Sequence, residues 1–366
     1  MKERGKYYAG LMSGTSLDGI DAALVAFEDG RCRLTHARYQ PFEPELRARL
    51  LALNHSDDDE LHRAALAGNE LAVRYAAAIE GLLREANVRP NQVAALGCHG
   101  QTVRHRPDLG YTIQLNSPAL LAELSGITVI ADFRSRDIAA GGQGAPLVPA
   151  FHAAMFHSPR RNRVIVNIGG ISNLTDLPAD GEILGFDCGP GNLLLDAWIG
   201  LQRDEPYDRD GMWAESGKII PELLQALLAY PFFGEPPPKS TGRDMFNLSW
   251  LERFLLPGYR PEDIQATLLQ LTAAAIADSV ARHCPHADEI YLCGGGAHNA
   301  ALKRALEQRL PALPIELTDA LGIGADWVEA VAFAWLARQT LSGLPGNLPQ
   351  VTGAKGKRIL GAIYPA

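Results

Sequence analysis

Residues 10–21 read G-L-M-S-G-T-S-L-D-G-I-D. Apolar and β-forming residues flank them: Tyr7, Tyr8 and Ala9 before, and the run 22–27 after. Both flanks have the composition of short buried strands. Between them lies a turn of glycine, small hydroxyls and aspartate. Such a turn tolerates positive φ and leaves main-chain N–H groups exposed. N–H groups that face inward form a nest for an anion, and Ser13, Thr15 and Ser16 can add hydrogen bonds to phosphate oxygens. A plain hairpin turn uses the same residue types. Similar stretches recur twice downstream, and that recurrence favours the phosphate reading.

At 366 residues the chain is long enough for about two domains. It is 47% hydrophobic and 21% charged, with a net charge of −8. The acidic balance argues against a DNA or RNA partner. No apolar run approaches the roughly 20 residues that span a bilayer, so no membrane is expected. The charged residues 1–6 lead straight into a strand and do not read as a secretory signal. Cys32, Cys98, Cys188, Cys284 and Cys293 are scattered, odd in number and never in C-x-x-C spacing. They read as reduced thiols of a cytoplasmic protein. His283, Cys284 and His286 lie close together, but Pro285 interrupts them at a helix end, which makes a poor metal site.

Strands at Tyr7–Met12, 20–27 and 32–39 form a meander, with a tight turn at 28–30. A helix follows over 61–83; Ser56 and Asp59 suit a capping box, and Asp57 and Asp58 suit its N-terminus. A buried strand at 94–98 runs into His99-Gly100-Gln101-Thr102. A strand at Tyr111–Leu115, a helix opened by Ser117 and Pro118, and a strand at 128–132 complete a first α/β unit. The run A-A-G-G-Q-G-A-P at 139–146 breaks the pattern. It is the expected junction between a first lobe, 1–138, with the tail 345–366 as a candidate completion, and a second, 139–344. Hinges are expected at 139–144 and 344–349.

The second lobe begins with a helix at 147–156 and strands at Arg163–Ile168 and Ile171–Leu177. N-I-G-G-I-S-N at 167–173 is again a small-residue turn between buried strands, so the second unit opens as the first does. A strand at 183–186 precedes D-C-G-P-G-N at 187–192 and a helix at 193–199. Then come the helix Pro221–Leu228, an irregular proline loop at 235–240 and a long alanine-rich helix at 264–283. The strand Glu289–Cys293 ends in Gly294, Gly295 and Gly296. A helix at 299–310, a short strand at 315–318 and an apolar helix at 327–341, with Glu329 in its first turn, follow.

Three small-residue turns thus end strands: 13–18, 167–170 and 294–296. In α/β sheets ligands bind at the carboxyl ends of strands. The arrangement suits a nucleotide in a cleft between two lobes. It is not a P-loop, because Ile20 and Asp21 stand where Lys and Ser/Thr belong. Nor is it a dinucleotide fingerprint, because Asn299 takes the third glycine position after Gly294 and Gly296.

The motifs L-M-S-G-T-S-L-D-G-I-D, G-C-H-G-Q-T, A-D-F-R-S-R-D, G-G-Q-G-A-P-L-V-P, N-I-G-G-I-S-N, G-F-D-C-G-P-G-N, P-K-S-T-G-R-D and C-G-G-G-A-H-N occur in that order. Together they closely resemble the anhydro-N-acetylmuramic acid kinases, over nearly the whole chain. The resemblance implies an α/β fold of two ribonuclease-H-like, actin/hexokinase-type lobes with mixed sheets around an interdomain ATP cleft. It also implies ATP and Mg2+, a homodimer, and a place in peptidoglycan recycling. By that resemblance Gly14, Thr15, Ser16, Leu17, Asp18, Gly19, Ile20 and Asp21 bind the ATP phosphates from the first lobe. Asn167, Gly169 and Gly170 close on them from the second, and Gly294, Gly295 and Gly296 lie against the nucleoside. Asp187 matches the catalytic carboxylate. Related sugar kinases place a magnesium-positioning Asp just before the first G-T, but here Leu11, Met12 and Ser13 fill that stretch. Asp18 and Asp21 are both candidates, and the magnesium ligands stay open.

The family's substrate has its 6-oxygen locked in a 1,6-anhydro bridge. The resemblance therefore implies a coupled reaction: Asp187 deprotonates a water, the water attacks the anomeric carbon, and the released 6-oxygen takes the γ-phosphate. Asp187 follows a strand and faces the helix end opened by Gly189, which favours an ionised form and can bind anions. A helix N-cap is the bland alternative for it. His99 and Gln101 follow a buried strand and are candidate substrate contacts, or satisfied structural groups. Arg134 can bind the substrate's carboxylate, or pair with Asp137. Glu329 is either a first-turn residue serving the helix dipole or a sugar ligand. Thr241, Gly242 and Arg243 line the site or end it. The alternative enzyme is another small-metabolite kinase of the superfamily. A sugar sensor or a chaperone-type ATPase would need a DNA-binding or peptide-binding segment, and neither is expected here.

Overall fold

The computed structural model describes residues 6–14, 16–28 and 30–366. Thr15 of the first turn, and Asp29 of the turn expected at 28–30, lie outside the described residues. The chain divides into two compact units. One runs up to Met155 and resumes with Trp327–Ala366; the other is Phe156–Asp326.

The first unit is built on a six-stranded sheet. Its order is Ala362–Tyr364, Val129–Ala131, Val93–Cys98, Tyr7–Met12, Gly19–Glu28, Arg31–Pro41. The last three form an antiparallel meander. Val93–Cys98 runs parallel to Tyr7–Met12, and Val129–Ala131 parallel to Val93–Cys98. Ala362–Tyr364 adds an antiparallel edge. Side chains alternate across a strand, so Ala9 and Leu11 share one face and Gly10 takes the other. Ala9 and Leu11 belong to a core with Leu71, Tyr75, Ile79 and Leu82 of the helix Glu60–Glu85. Their spacing is that of one helical stripe.

The helix Val328–Leu341 covers the face that Gly10 occupies. A Cβ at Gly10 would stand 1.9 Å from the Ala330 carbonyl oxygen, and one at Gly97 would stand 2.0 Å from that of Phe333. Two glycines in neighbouring strands let a helix backbone lie directly on the sheet. This helix is apolar on all sides and almost fully buried. Its place explains why the later boundary falls at 326/327 and not at 344/345: packing on the first sheet draws it into the first unit, while the earlier boundary falls at 155/156 and not at 138/139. The segments expected as hinges also lie inside this unit, pinned to each other. Buried Asp137 accepts from Gly144 N–H (2.8 Å), Asn347 Nδ2 (2.6 Å) and Thr352 Oγ1 (2.8 Å).

Other local expectations shift. The helix Glu60–Glu85 has Asp59 at its N-cap with φ 54° and no side-chain cap bond, so there is no Ser56–Asp59 capping box. A helix at Pro44–Ala52 and a strand at Gln101–Arg106, paired antiparallel with Tyr111–Leu115, were not foreseen.

The second unit carries five strands in the order Leu184–Pro190, Ile171–Leu177, Arg163–Ile168, Glu289–Cys293, Ile315–Leu317. The first three are antiparallel and the remaining pairings parallel. Leaving out the extra edge strand of the first sheet, the two orders match, meander then parallel strands. The helix Pro261–His283 is long and apolar enough to cross a membrane, contrary to the reading of composition, but 83% of its apolar stretch is buried within the unit. The helix Ala300–Arg309 is capped by Asn299, whose Oδ1 accepts from Leu302 N–H (3.0 Å).

Candidate functional site

In the first unit the turn follows strand Tyr7–Met12. Leu17 N–H closes it on Gly14 O (3.2 Å), and Leu17 takes φ 58°. The side chains of Leu17 and Ile20 are buried in the core, which leaves only their main chain available to a ligand. Ser13 is buried too: its hydroxyl pairs with Tyr75 Oη (2.7 Å) and so does not serve an anion, as its residue type suggested. Ser16 Oγ donates to Asp18 Oδ1 (2.7 Å), and Asp18 is exposed. Gly19 serves packing, because a Cβ there would press on Gln40 O and the Tyr39 ring. Asp21 lies in the strand, opposite Met12 and Tyr39.

The polar residues expected on the sugar side gather beside this turn. Gln101 Nε2 donates to Gly14 O (3.0 Å), while its buried Oε1 has no protein partner. An unpaired buried acceptor of this kind marks a place for a ligand or water. Arg134 Nε donates to His99 Nε2 (3.0 Å), and its Nη1 to Gly144 O (2.7 Å). Burial first, then the Arg134 charge, hold His99 well below the usual imidazole range. Accepting from Arg134 requires Nε2 to carry no proton. The ring stacks near Phe333, centroids 4.7 Å apart. Asp137, the other partner weighed for Arg134, is engaged by Gly144 N–H, Asn347 and Thr352. Glu329 opens the helix Val328–Leu341; burial raises its carboxyl above the ordinary range and the Arg134 charge opposes that. His99 and Glu329, distant in sequence, are therefore each influenced by Arg134.

In the second unit two turns come together because strands Arg163–Ile168 and Glu289–Cys293 are parallel neighbours, with Cys293 opposite Asn167. Gly294 takes φ 80°; a Cβ there would meet Asn167 Oδ1 at 2.4 Å, and one at Gly296 would meet the Ile168 side chain at 2.3 Å. Nothing stands within 4 Å of a Cβ at Gly295, so that position is open. Gly169 O and Gly170 O accept from the N–H groups of Asn192 (2.8 Å) and Gly191 (2.9 Å), which stitches this turn to the start of helix Leu193–Arg203.

Asp187 lies on the strand leading into that cluster. It pairs with Asn173, and Gly189 with Ser172, so Cys188 is the extra residue of a bulge. Bulges re-aim side chains and recur beside active sites. Gly189 supports the bend with φ 143°, against Phe233. Asp187 is half-buried, and its Oδ2 accepts from Thr241 N–H (2.9 Å). The helix N-cap is Asn192, so the capping role weighed for Asp187 does not apply. Thr241 joins the site through its main chain. Lys239, which sequence reasoning passed over, sits behind it. Among the described residues no group of three metal-ligating side chains occurs, the neighbourhood of His283 and Cys284 included.

Both units thus carry the same α/β sheet order with glycine turns at strand ends, and the two together define a duplicated α/β fold class. The (R)-2-hydroxyglutaryl-CoA dehydratase component A of Acidaminococcus fermentans shares the fold. It superposes with a TM-score of 0.50 at 14% identity, covering 92% of this chain and 99% of its own. Within that class the chain belongs to the anhydro-N-acetylmuramic acid kinase family, which residues 6–366 match. The anhydro-N-acetylmuramic acid kinase of Nitrosospira multiformis is 58% identical, over 99% of this chain and 100% of its own. That of Pseudomonas syringae pv. tomato is 54% identical, over 98% and 99%.

Proposed function

We propose that this protein is an ATP-dependent kinase that opens the 1,6-anhydro ring of anhydro-N-acetylmuramic acid and phosphorylates the 6-oxygen. The observation that carries the reading is Asp187: a half-buried carboxylate at a strand bulge, held by Thr241 N–H, in a chain similar to such kinases over its whole length. Asp187 takes a proton from water. The water oxygen bonds to the anomeric carbon, the bond from that carbon to the 6-oxygen breaks, and the 6-oxygen takes the γ-phosphoryl group. N-Acetylmuramic acid 6-phosphate and ADP leave, and Asp187 returns its proton to solvent. Phosphoryl transfer needs alignment and charge neutralisation more than covalent help.

The turns suit the division of labour. The turn over residues 16–21 of the first unit, and separately the turn over 167–170 of the second, offer main-chain N–H groups suited to phosphate oxygens, and the open position at Gly295 suits a nucleoside. Arg134 is the cation for the sugar's carboxylate, with neutral His99, Gln101 and Glu329 as hydrogen-bonding partners. Asp18, exposed beside Ser16, fits a water-mediated contact to magnesium better than Asp21, whose strand position sets it back in the sheet. When bound, the ion neutralises phosphate charge. Cytoplasmic residence, a homodimer and a role in cell-wall sugar recycling belong to the same reading. Asp187→Asn tests it: turnover is expected to fall at least about a thousandfold with nucleotide affinity unchanged. Retained turnover contradicts the assignment.

A further inference from the structure

We propose that Lys239 is a positioning residue for Asp187. Its buried ammonium fixes the segment 235–247 so that Thr241 N–H stays on the carboxylate. The inference rests on the reading of Asp187 as the base. That segment contains no helix or strand before Leu248–Glu252, so nothing periodic holds it in register. Lys239 supplies the hold. It is only 7% exposed, and Nζ donates to Phe232 O (3.0 Å). The ammonium also lies over two rings, 4.5 Å from the centroid of Phe232 and 5.9 Å from that of Phe186. Phe186 immediately precedes Asp187, so the side chain grips the catalytic strand itself.

The main chain completes the register. Lys239 O accepts from Asp187 N–H (3.1 Å), and two residues on Thr241 N–H meets Oδ2. A buried ammonium is costly unless paired, and ring faces with a carbonyl satisfy it. Burial pulls Lys239 below the usual lysine range. The titratable and charged groups around it are Asp187, Cys188, Glu235, Asp278, Arg282 and His283.

The test compares Lys239→Met and Lys239→Arg with the unaltered enzyme. In Lys239→Met, kcat is expected to fall on the order of tenfold to a hundredfold, with KM for both substrates within about twofold. The acidic limb of the kcat–pH profile is expected to move to higher pH, because a lost cation and a slack N–H both disfavour the carboxylate. Lys239→Arg, which keeps the cation over the rings, restores much of kcat and the limb. Melting curves and binding of a non-hydrolysable ATP analogue establish that the variants fold. If Lys239→Met does not fold, Lys239→Gln removes the charge while keeping a donor for Phe232 O, and the same expectations apply. An unchanged kcat and acidic limb, with Asp187→Asn inactive, overturn the positioning role alone. Retained turnover in Asp187→Asn overturns the reading of Asp187 itself.

Discussion

The first unit closes its sheet with a helix from the far end of its chain, Val328–Leu341, whereas the second uses Pro261–His283, the segment between two of its own strands. Sheet order is the same in both, but glycine does different work. In the first, Gly10 and Gly97 admit a helix backbone onto the strands. In the second, Gly191, Gly294 and Gly296 let turns and a helix start approach one another closely. One topology has thus been given two tasks. The first unit gathers charged and polar groups, His99, Arg134 and Glu329, while the second gathers glycine turns and the carboxylate of Asp187.

That comparison can be broken. The largest effect is expected from Gly97→Val. Its Cβ would collide with backbone that cannot move aside, so unfolding in urea should show a loss above about 4 kcal/mol. Gly295→Ala, at an open position, should stay within about 0.5 kcal/mol. Equal costs at the two sites would show that the glycines do not divide their work in this way. A smaller effect sharpens the division. Arg134→Met should raise KM for the sugar about tenfold or more while nucleotide affinity holds. A fall in nucleotide affinity with sugar KM unmoved, measured by steady-state kinetics and calorimetry, would place Arg134 on the wrong substrate.

Much of the fold was legible. Tyr7–Met12, Arg163–Ile168, Ile171–Leu177 and Glu289–Cys293 stand where alternation, burial and turn residues put them, and the repeat of a small-residue turn announced the second sheet. The ownership of helix Val328–Leu341 was not legible. A helix apolar all round does not say which sheet it covers, and the signal lay elsewhere, in glycines at facing positions of neighbouring strands. The strand Gln101–Arg106, which pairs with the expected strand Tyr111–Leu115, hid because all its residues but Val103 are polar.

The small-residue turns were legible as turns from their composition, and Asp187 was singled out by the family motif. Side-chain partners were harder. Ser13 reads as a phosphate ligand by type, yet Tyr75, distant in sequence, takes it into the core. Arg134 and Asp137 lie three residues apart, and a pair between them was one of two readings; their long-range partners were not legible, His99 for one, Asn347 and Thr352 for the other. Lys239 followed three prolines and read as loop. Its burial comes from contacts the sequence does not announce, the Phe232 carbonyl and two phenylalanine rings.

The most direct measurement incubates the enzyme with ATP, magnesium and 1,6-anhydro-N-acetylmuramic acid in water enriched in oxygen-18, and follows the sugar by mass spectrometry. The account predicts a 6-phosphate carrying one labelled oxygen at the anomeric carbon, formed in step with ADP. ADP release without such a product, or a phosphorylated sugar whose anhydro ring is intact, would contradict it.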